Sequence, residues 1–444
     1  MLLILLFWIL LWEGCSLLFH NEILLPGPMA VFRRLVADAG TGIFWSRCLF
    51  SLGRILLGFL AGSLLGFGLS LVFEKNTLVK DIFRPVLYVF KTIPVACVAV
   101  LILILANAKW LVFWVVLSVV LPQIVMVMES GLKNVPAQMT EMGKMYHFSY
   151  GEMLRFIKRP VYEKGLRQGL YLSLETSFKA GISAEIIGLP IKSLGEGIYL
   201  DKIYFDTAGV LAWVLVIFLL SFLCKMILKG FLTLEGKYAY HSQFVKRKRK
   251  IRENTGFLSL RDVAASYGDE IVISKMNMEL APGEHVLVSG PSGIGKTTLL
   301  RVLAGLHSET SGEREGKAPV TMLFQENRLV AEADAITNVL LGMRDRDATR
   351  AEEMLICMGI AKEDCRDKKI VDFSGGMQRK VALARTLLSA PAEGMVLLDE
   401  PFASVDAVSI EKMLSVVLRE TAGKTCVLVS HVRLEDTNFT NLEL

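Results

Sequence analysis

His285-Val286-Leu287-Val288-Ser289 has the apolar run of a buried strand, and Gly290-Pro291-Ser292-Gly293-Ile294-Gly295-Lys296-Thr297 follows it at once. The second stretch is G-x-x-x-x-G-K-T between a strand and a helix, the context a phosphate-binding loop requires. Its glycines let backbone N–H groups curl around phosphate oxygens, and the helix N-terminus adds its dipole. Lys296 supplies a point charge to the β- and γ-phosphates, and Thr297 a hydroxyl to Mg2+. Gly290, Pro291, Ser292, Gly293, Ile294, Gly295, Lys296, Thr297 and Thr298 are therefore the expected ATP-binding set. Further along, Met395-Val396-Leu397-Leu398-Asp399-Glu400 is an apolar strand ending in two carboxylates. Asp399 at the strand end can hold Mg2+, directly or through water. Glu400 beside it would lie near the γ-phosphate, placed to orient or deprotonate an attacking water. Alone, each string has a bland explanation, a glycine-rich turn or a strand exit. Together they predict hydrolysis of a nucleoside triphosphate.

Composition says what kind of elements must hold these groups. The chain has 444 residues, 53% hydrophobic and 21% charged, with a mean hydropathy of +0.47. A soluble domain usually carries about a quarter charged residues. Disordered, collagen-like and disulfide-stapled classes are thereby excluded. At about 150 residues per domain the length suggests two to three structural units. The apolar excess crowds the first half, where stretches near 2–19, 50–73, 86–106, 110–128, 168–188 and 208–228 approach the ~20 residues of a membrane span. The first lacks a basic leading segment, and Trp12-Glu13-Gly14-Cys15 is a poor cleavage site, so a spanning helix is expected there. Lys and Arg concentrate in 129–167 and after the last span, whereas 106–110 and 189–207 offer only Lys109, Lys192 and Lys202. The 20–49 loop, with Arg33, Arg34 and Arg47, is a mild exception. Six crossings with both termini in the cytoplasm fit this pattern. Seven cysteines form no CxxC pair and are odd in number, as reduced packing thiols would be.

The net charge of +5 is small, and the densest basic run is Lys246-Arg247-Lys248-Arg249-Lys250-Ile251-Arg252. Beside a membrane segment such a run faces anionic headgroups in preference to nucleic acid. Membrane lipid is thus an expected partner and nucleic acid is not. Gly58, Gly62 and Gly66 recur every fourth residue, which bares one helical face to close approach by another helix. Glu175 and Lys179 have the spacing to pair along one face, with Glu185 further down the same span. Ionisable groups inside a bilayer face a partner or an aqueous path.

Phe373-Ser374-Gly375-Gly376-Met377, followed by Gln378-Arg379-Lys380-Val381-Ala382-Leu383-Ala384-Arg385, resembles the signature of ABC-transporter ATPases. The resemblance runs over nearly all of 256–444 and implies roles for matching positions. Tyr267 matches the aromatic that stacks on adenine, and Gln325 the Q-loop, a further Mg2+ contact beside Thr297 and Asp399. Asp406 falls in the D-loop, and His431 matches the switch histidine, a catalytic group with Glu400 and Gln325. In this family Ser374, Gly375, Gly376 and Met377 close over nucleotide held by a second ATPase domain, which implies a dimer. The sequence departs from the usual pattern in Met377, in Val432 after His431, and in its compact helical subdomain.

The first half carries its own resemblance. Glu141-Met142-Gly143 with Ile157 and Pro160 is similar in spacing to the EAA coupling loop of binding-protein-dependent importers, with departures at Met142 and His147. Leu25-Pro26-Gly27-Pro28, Ser51-Leu52-Gly53-Arg54, Lys91-Thr92-Ile93-Pro94 and Ala184-Glu185 before Gly195-Glu196-Gly197 together resemble nitrate, sulfonate and taurine permeases, a group that includes permeases for thiamine precursors. The expected architecture is multi-domain. An all-α polytopic membrane domain of about six transmembrane helices occupies 1–235, with its coupling loop at 141–160. A basic linker spans 236–255, and an α/β P-loop ABC ATPase domain 256–444. The expected protein is an importer in the cytoplasmic membrane of a prokaryote, a homodimer using ATP and Mg2+, with an extracytoplasmic binding protein and its ATPase domains in the cytoplasm. An ABC exporter and an ATP-responsive membrane regulator are the alternatives.

Overall fold

A computed structural model describes residues 2–19, 21, 23–105, 107–238, 258–268, 270–307, 311–316, 318–366, 368–431 and 439–444. The basic run at 246–252, most of the expected linker and Val432 lie outside the described residues. In chain order the helices of the first half are α1 (Leu2–Phe19), α2 (Pro28–Ala39), α3 (Gly42–Lys75), α4 (Thr77–Thr92), α5 (Val95–Leu105), α6 (Ala108–Lys133), α7 (Ala137–Met145), α8 (Tyr150–Glu152), α9 (Arg159–Gly188), α10 (Leu194–Ile203) and α11 (Thr207–Tyr238). A π-helical turn, Met153–Lys158, joins α8 to α9. Two compact units result: Met1–Asn134 with Val161–Gly236, and Val135–Pro160 with Lys237–Leu444.

In the first unit, α3 and α6 pack face to face because α3 presents bare backbone. A Cβ built on Gly58, Gly62 or Gly66 would lie 2.8, 2.9 or 3.0 Å from the Cβ of Val116, Val120 or Ile124. Only glycine permits that approach, and α6 is the helix that makes it. By length and composition α3, α6 and Thr207–Thr233 of α11 can each cross a membrane.

The other expected spans differ from continuous apolar helices. The stretch 86–106 is broken between α4 and α5, which meet at 109°. Pro94 lacks an N–H and drives Ile93 to φ −69°, ψ 133°, which ends α4. The bent pair qualifies only if taken as one span. The stretch 168–188 lies in α9, long enough but interrupted by Glu175, Lys179 and Glu185. The first stretch contributes a shorter apolar helix, Leu6–Phe19.

The charges of α9 also pair differently from the i,i+4 expectation. Glu175 takes Lys225 of α11 as its partner, not Lys179. Glu185 is fully buried and accepts from the Ser51 hydroxyl at 2.8 Å and from the Gly195 N–H at 3.1 Å. Arg54 lies 3.8 Å away. The three permease-like strings around Ser51, Glu185 and Gly195 thus meet in one buried network.

The second unit is built on strands β1 (Leu258–Tyr267), β2 (Glu270–Leu280), β3 (His285–Ser289), β4 (Ser311–Glu315), β5 (Val320–Leu323), β6 (Met395–Asp399), β7 (Thr425–Val429) and β8 (Thr440–Glu443). An antiparallel sheet runs β2-β1-β4, and a parallel sheet runs β5-β6-β7-β3-β8. β6 and β7 are buried at every position, as strands covered on both faces must be. The helices are α12 (Lys296–Leu303), α13 (Ala335–Gly342), α14 (Ala348–Cys357), α15 (Gly375–Ser389) and α16 (Ala407–Thr421). The segment 135–160 packs with this unit, with Met142, Tyr146 and Ile157 in its core.

Candidate functional site

Open parallel sheets present their chemistry at the carboxyl ends of the strands. Here β3 ends in the glycine loop, β6 in Asp399, β5 runs out to Gln325 and β7 to His431, so one edge gathers all four. They line a pocket of about 320 Å3 with Ser292, Gly293, Gly295, Lys296, Thr297, Thr298 and Glu400. Gly290, Gly293 and Gly295 have φ of 145°, 87° and 110°. A Cβ on Gly295 would sit 3.0 Å from Val272 Cγ1. The loop therefore needs glycine for its backbone shape. Lys296 is buried and donates to the carbonyls of Gly290 and Pro291 at 2.7 and 2.9 Å, which fixes the ammonium across the loop.

Both Asp399 carboxylate oxygens are buried, and among the described residues neither has a hydrogen-bond partner in full geometry. Burial pushes this carboxyl above its ordinary range, opposed by the Thr297 hydroxyl. An orphaned carboxylate beside a hydroxyl and an amide side chain is a donor set of hard oxygens, which suits Mg2+. The residues present therefore fit a nucleotide with its divalent cation. Glu400 sits at φ +51°, a left-handed backbone costly for a residue with a side chain. It accepts the His431 N–H at 3.3 Å, and its other oxygen lies 3.5 Å from His431 Nε2. Tyr267 is half exposed beside His307, ring centroids 4.7 Å apart.

Ser374, Gly375, Gly376, Met377 and Asp406 are not among the residues lining this pocket. Ser374 caps α15 by accepting the Met377 N–H at 3.3 Å, and Asp406 caps α16. A Cβ on Gly376 would stand 2.7 Å from the Ser404 carbonyl, so α15 touches the backbone at Ser404 through its glycine.

Sequence reasoning gave Arg379 no role, yet it joins the site's parts. Its buried guanidinium donates to the carbonyls of Phe324 at 2.7 Å, Gln325 at 3.1 Å and Glu400 at 2.8 Å, and also to that of Asp399. Burial pushes its pKa down to about 10 against the pull of Asp399 and Glu400, so it remains a cation at neutral pH. One side chain thus ties the backbone at Phe324 and Gln325 to the acidic strand end. Its place in the string after the signature was the available signal.

The expected coupling residues assemble against the same unit. Glu141 pairs with Arg301 of α12, at 3.3 Å to Nη1, and with Arg328 at 2.8 Å. A Cβ on Gly143 would lie 2.3 Å from Met153 Sδ and 2.9 Å from Ile157 Cδ1, so glycine lets α7 fold back on the π-helical turn. Pro160 is the second residue of α9, directly after the π-helical turn Met153–Lys158 from which the helix continues. Of the two departures, Met142 is fully buried and His147 takes φ +53°. Tyr146 donates to the Met322 carbonyl at 2.9 Å, shares a 2.8 Å hydrogen bond with Thr386 and lies 4.7 Å under the Arg385 guanidinium.

Residues 273–403 match the family described as ABC transporter, and residues 55–232 the binding-protein-dependent transport system inner membrane component. The aliphatic sulfonates import ATP-binding protein SsuB 1 of Rhodococcus jostii (strain RHA1) is 39% identical over 183 residues, 39% of this chain and 72% of that protein. The chain belongs to the ABC transporter family. SsuB 2 of Pseudomonas syringae pv. syringae (strain B728a), also named for aliphatic sulfonates import, is 42% identical over 36% of this chain, which spans 58% of that relative's length. Among solved structures, the dimeric ATP-binding cassette MJ0796 bound to ADP and Pi is 28% identical over 39% of this chain and 88% of that one, with a TM-score of 0.36. The two matched families follow one another in a single chain, an ABC cassette after a permease-type helical unit that carries helices long and apolar enough to cross a membrane.

Proposed function

We propose that the chain imports a small organic anion of the sulfonate class, driven by ATP. The observation that carries this reading is the convergence of Lys296, Thr297, Asp399, Glu400 and His431 on one pocket, while Glu141 grips the helix that begins with Lys296. The relatives' names supply the substrate class. In this reading residues 1–235 form the permease, 236–255 the linker and 256–444 the ATPase. Two copies work as a homodimer in the cytoplasmic membrane of a prokaryote, with the cassettes in the cytoplasm and an extracytoplasmic binding protein delivering substrate.

Residues 290–298 cradle the triphosphate and Tyr267 carries the base. Ser374, Gly375, Gly376 and Met377 close over nucleotide held by the second copy, with Asp406 at the same junction. Thr297, Gln325 and Asp399 would hold Mg2+, which when bound neutralises phosphate charge. Glu400 orients the attacking water, and His431 stands against it. Arg379 keeps Gln325 and Glu400 in register. Closure of the cassettes passes to the permease through Glu141, Gly143, Ile157 and Pro160, and the energy comes from differential binding of ATP to the closed dimer.

The test is ATP hydrolysis by the purified chain in lipid nanodiscs, with its binding protein loaded from a panel of sulfonates, nitrate and pyrimidine precursors. Stimulation by one loaded binding protein supports import and names the substrate. Activity indifferent to binding proteins but raised by hydrophobic compounds would replace import with export.

A further inference from the structure

The helical unit holds a groove that the ATP chemistry does not touch. It encloses about 680 Å3 between α9, α10 and α11, within the ~300–1,000 Å3 typical of small-molecule sites. Apolar side chains dominate its walls, with Phe178 and Ile182 of α9 across from Phe218 and Phe222 of α11. The polar groups among them are Glu175, Lys179, Ser183, Ser221 and Lys225.

The charges do not balance. Lys225 and Glu175 pair with each other. Lys179, one turn beyond Glu175 and one turn before Ser183, is exposed in the groove and has no anionic partner among the described residues. A cation in the middle of an apolar helical unit is costly, and such groups mark a partner or a path. An unpaired ammonium beside two hydroxyls, in an otherwise apolar slot, complements a ligand with an anionic head and a short apolar tail. A cationic ligand would meet Lys179 unshielded, and a fully polar anion would leave the aromatic walls unused.

We infer that this groove binds a small organic anion bearing an alkyl tail, with Lys179 as its counter-charge and Ser183 and Ser221 as hydrogen-bond donors. The inference deepens the import reading above and rests on it for the direction of travel. It assigns substrate contact to the membrane unit itself, in addition to any binding protein.

The full chain in nanodiscs of zwitterionic lipid, without a binding protein, is titrated with radiolabelled butanesulfonate. Saturable binding is expected, weaker by about 10–100-fold in Lys179→Met, the loss of one charge-assisted contact. Lys179→Arg should stay within a few-fold of wild type, which separates loss of charge from misfolding. Glu175→Gln, which frees Lys225, should bind more tightly. Butyltrimethylammonium should not compete. Wild-type affinity in Lys179→Met, equal competition by butanol, or no saturable binding by the wild-type chain would overturn the assignment, the last leaving the groove to a second copy of the chain. ATP hydrolysis by the same wild-type sample keeps the two readings apart. Hydrolysis without sulfonate binding sinks the groove alone, whereas sulfonate binding without hydrolysis sinks the ATP-driven reading alone.

Discussion

Replacing Glu141 by Ala tests how α7 is held to the ABC cassette. The Glu141 carboxylate meets Arg301 at 3.3 Å through Nη1 and Arg328 at 2.8 Å. The Arg328 side chain is only 5% exposed and stacks 3.7 Å over the Phe324 ring. Without Glu141 it keeps, among the described residues, one anionic partner, Glu326 at 3.2 Å, whose own side chain is 56% exposed. Each charge-assisted hydrogen bond is worth about 1.5–3 kcal/mol when buried, and less than about 1 kcal/mol when exposed. Glu141 is one quarter exposed, and Glu326 partly compensates, so the two contacts together come to about 2–3 kcal/mol. That corresponds to roughly a 30–150-fold rise in the open population of α7. Hydrogen exchange of the full chain in nanodiscs reads this directly as lost protection over Ala137–Met145. A double-mutant cycle with Arg301→Ala should recover part of the loss as coupling. Unchanged protection, within about 0.5 kcal/mol, would mean that the ion pairs do not hold α7 and are passengers on the burial of Met142 and Tyr146.

Three further outcomes follow. Glu400→Gln should lower ATP turnover by about 10²–10⁴-fold while leaving nucleotide binding intact, as measured by hydrolysis and by equilibrium binding of labelled ATP. Burial pushes the Glu141 carboxyl up, but Arg301 and Arg328 outweigh it and hold it below its ordinary 4.5. A group lowered in this way stabilises the fold above its unfolded pKa and stops doing so as pH falls through the folded value. Protection of α7 should therefore be flat from pH 7 to about 5 and fall only below the ordinary glutamate range, and Glu141→Gln should abolish that acid limb. In the membrane unit, Gly62→Val would drive a Cβ to 2.9 Å from that of Val120. Such overpacking costs about 1–3 kcal/mol, seen as a lowered melting temperature of the purified chain, whereas Gly68→Ala, with open space around it, should melt near wild type.

What the sequence makes legible is local. The glycine loop, the Asp399-Glu400 strand end and the signature helix each announce themselves within about a dozen residues, because each function needs fixed residue types on one turn or one strand end. The groups that join them are not legible. Arg379 reaches carbonyls at positions 324, 325, 399 and 400, and Tyr146 reaches Met322 and Thr386, contacts set by tertiary folding and not by spacing. The same holds for Glu175, whose partner Lys225 is 50 residues away, while the local candidate Lys179 has no ion pair among the described residues. Hydropathy averages over 86–106 also conceal the bend at Pro94, because apolar content reports burial and not helix continuity.

The most direct test of ATP-driven import is uptake of radiolabelled sulfonate by proteoliposomes carrying the full chain. The binding protein sits on one face and Mg-ATP on the other. Accumulation should require ATP on the cassette side and should fail with ADP or with Glu400→Gln. Uptake independent of ATP, or movement of the labelled solute away from the binding-protein side, would contradict it.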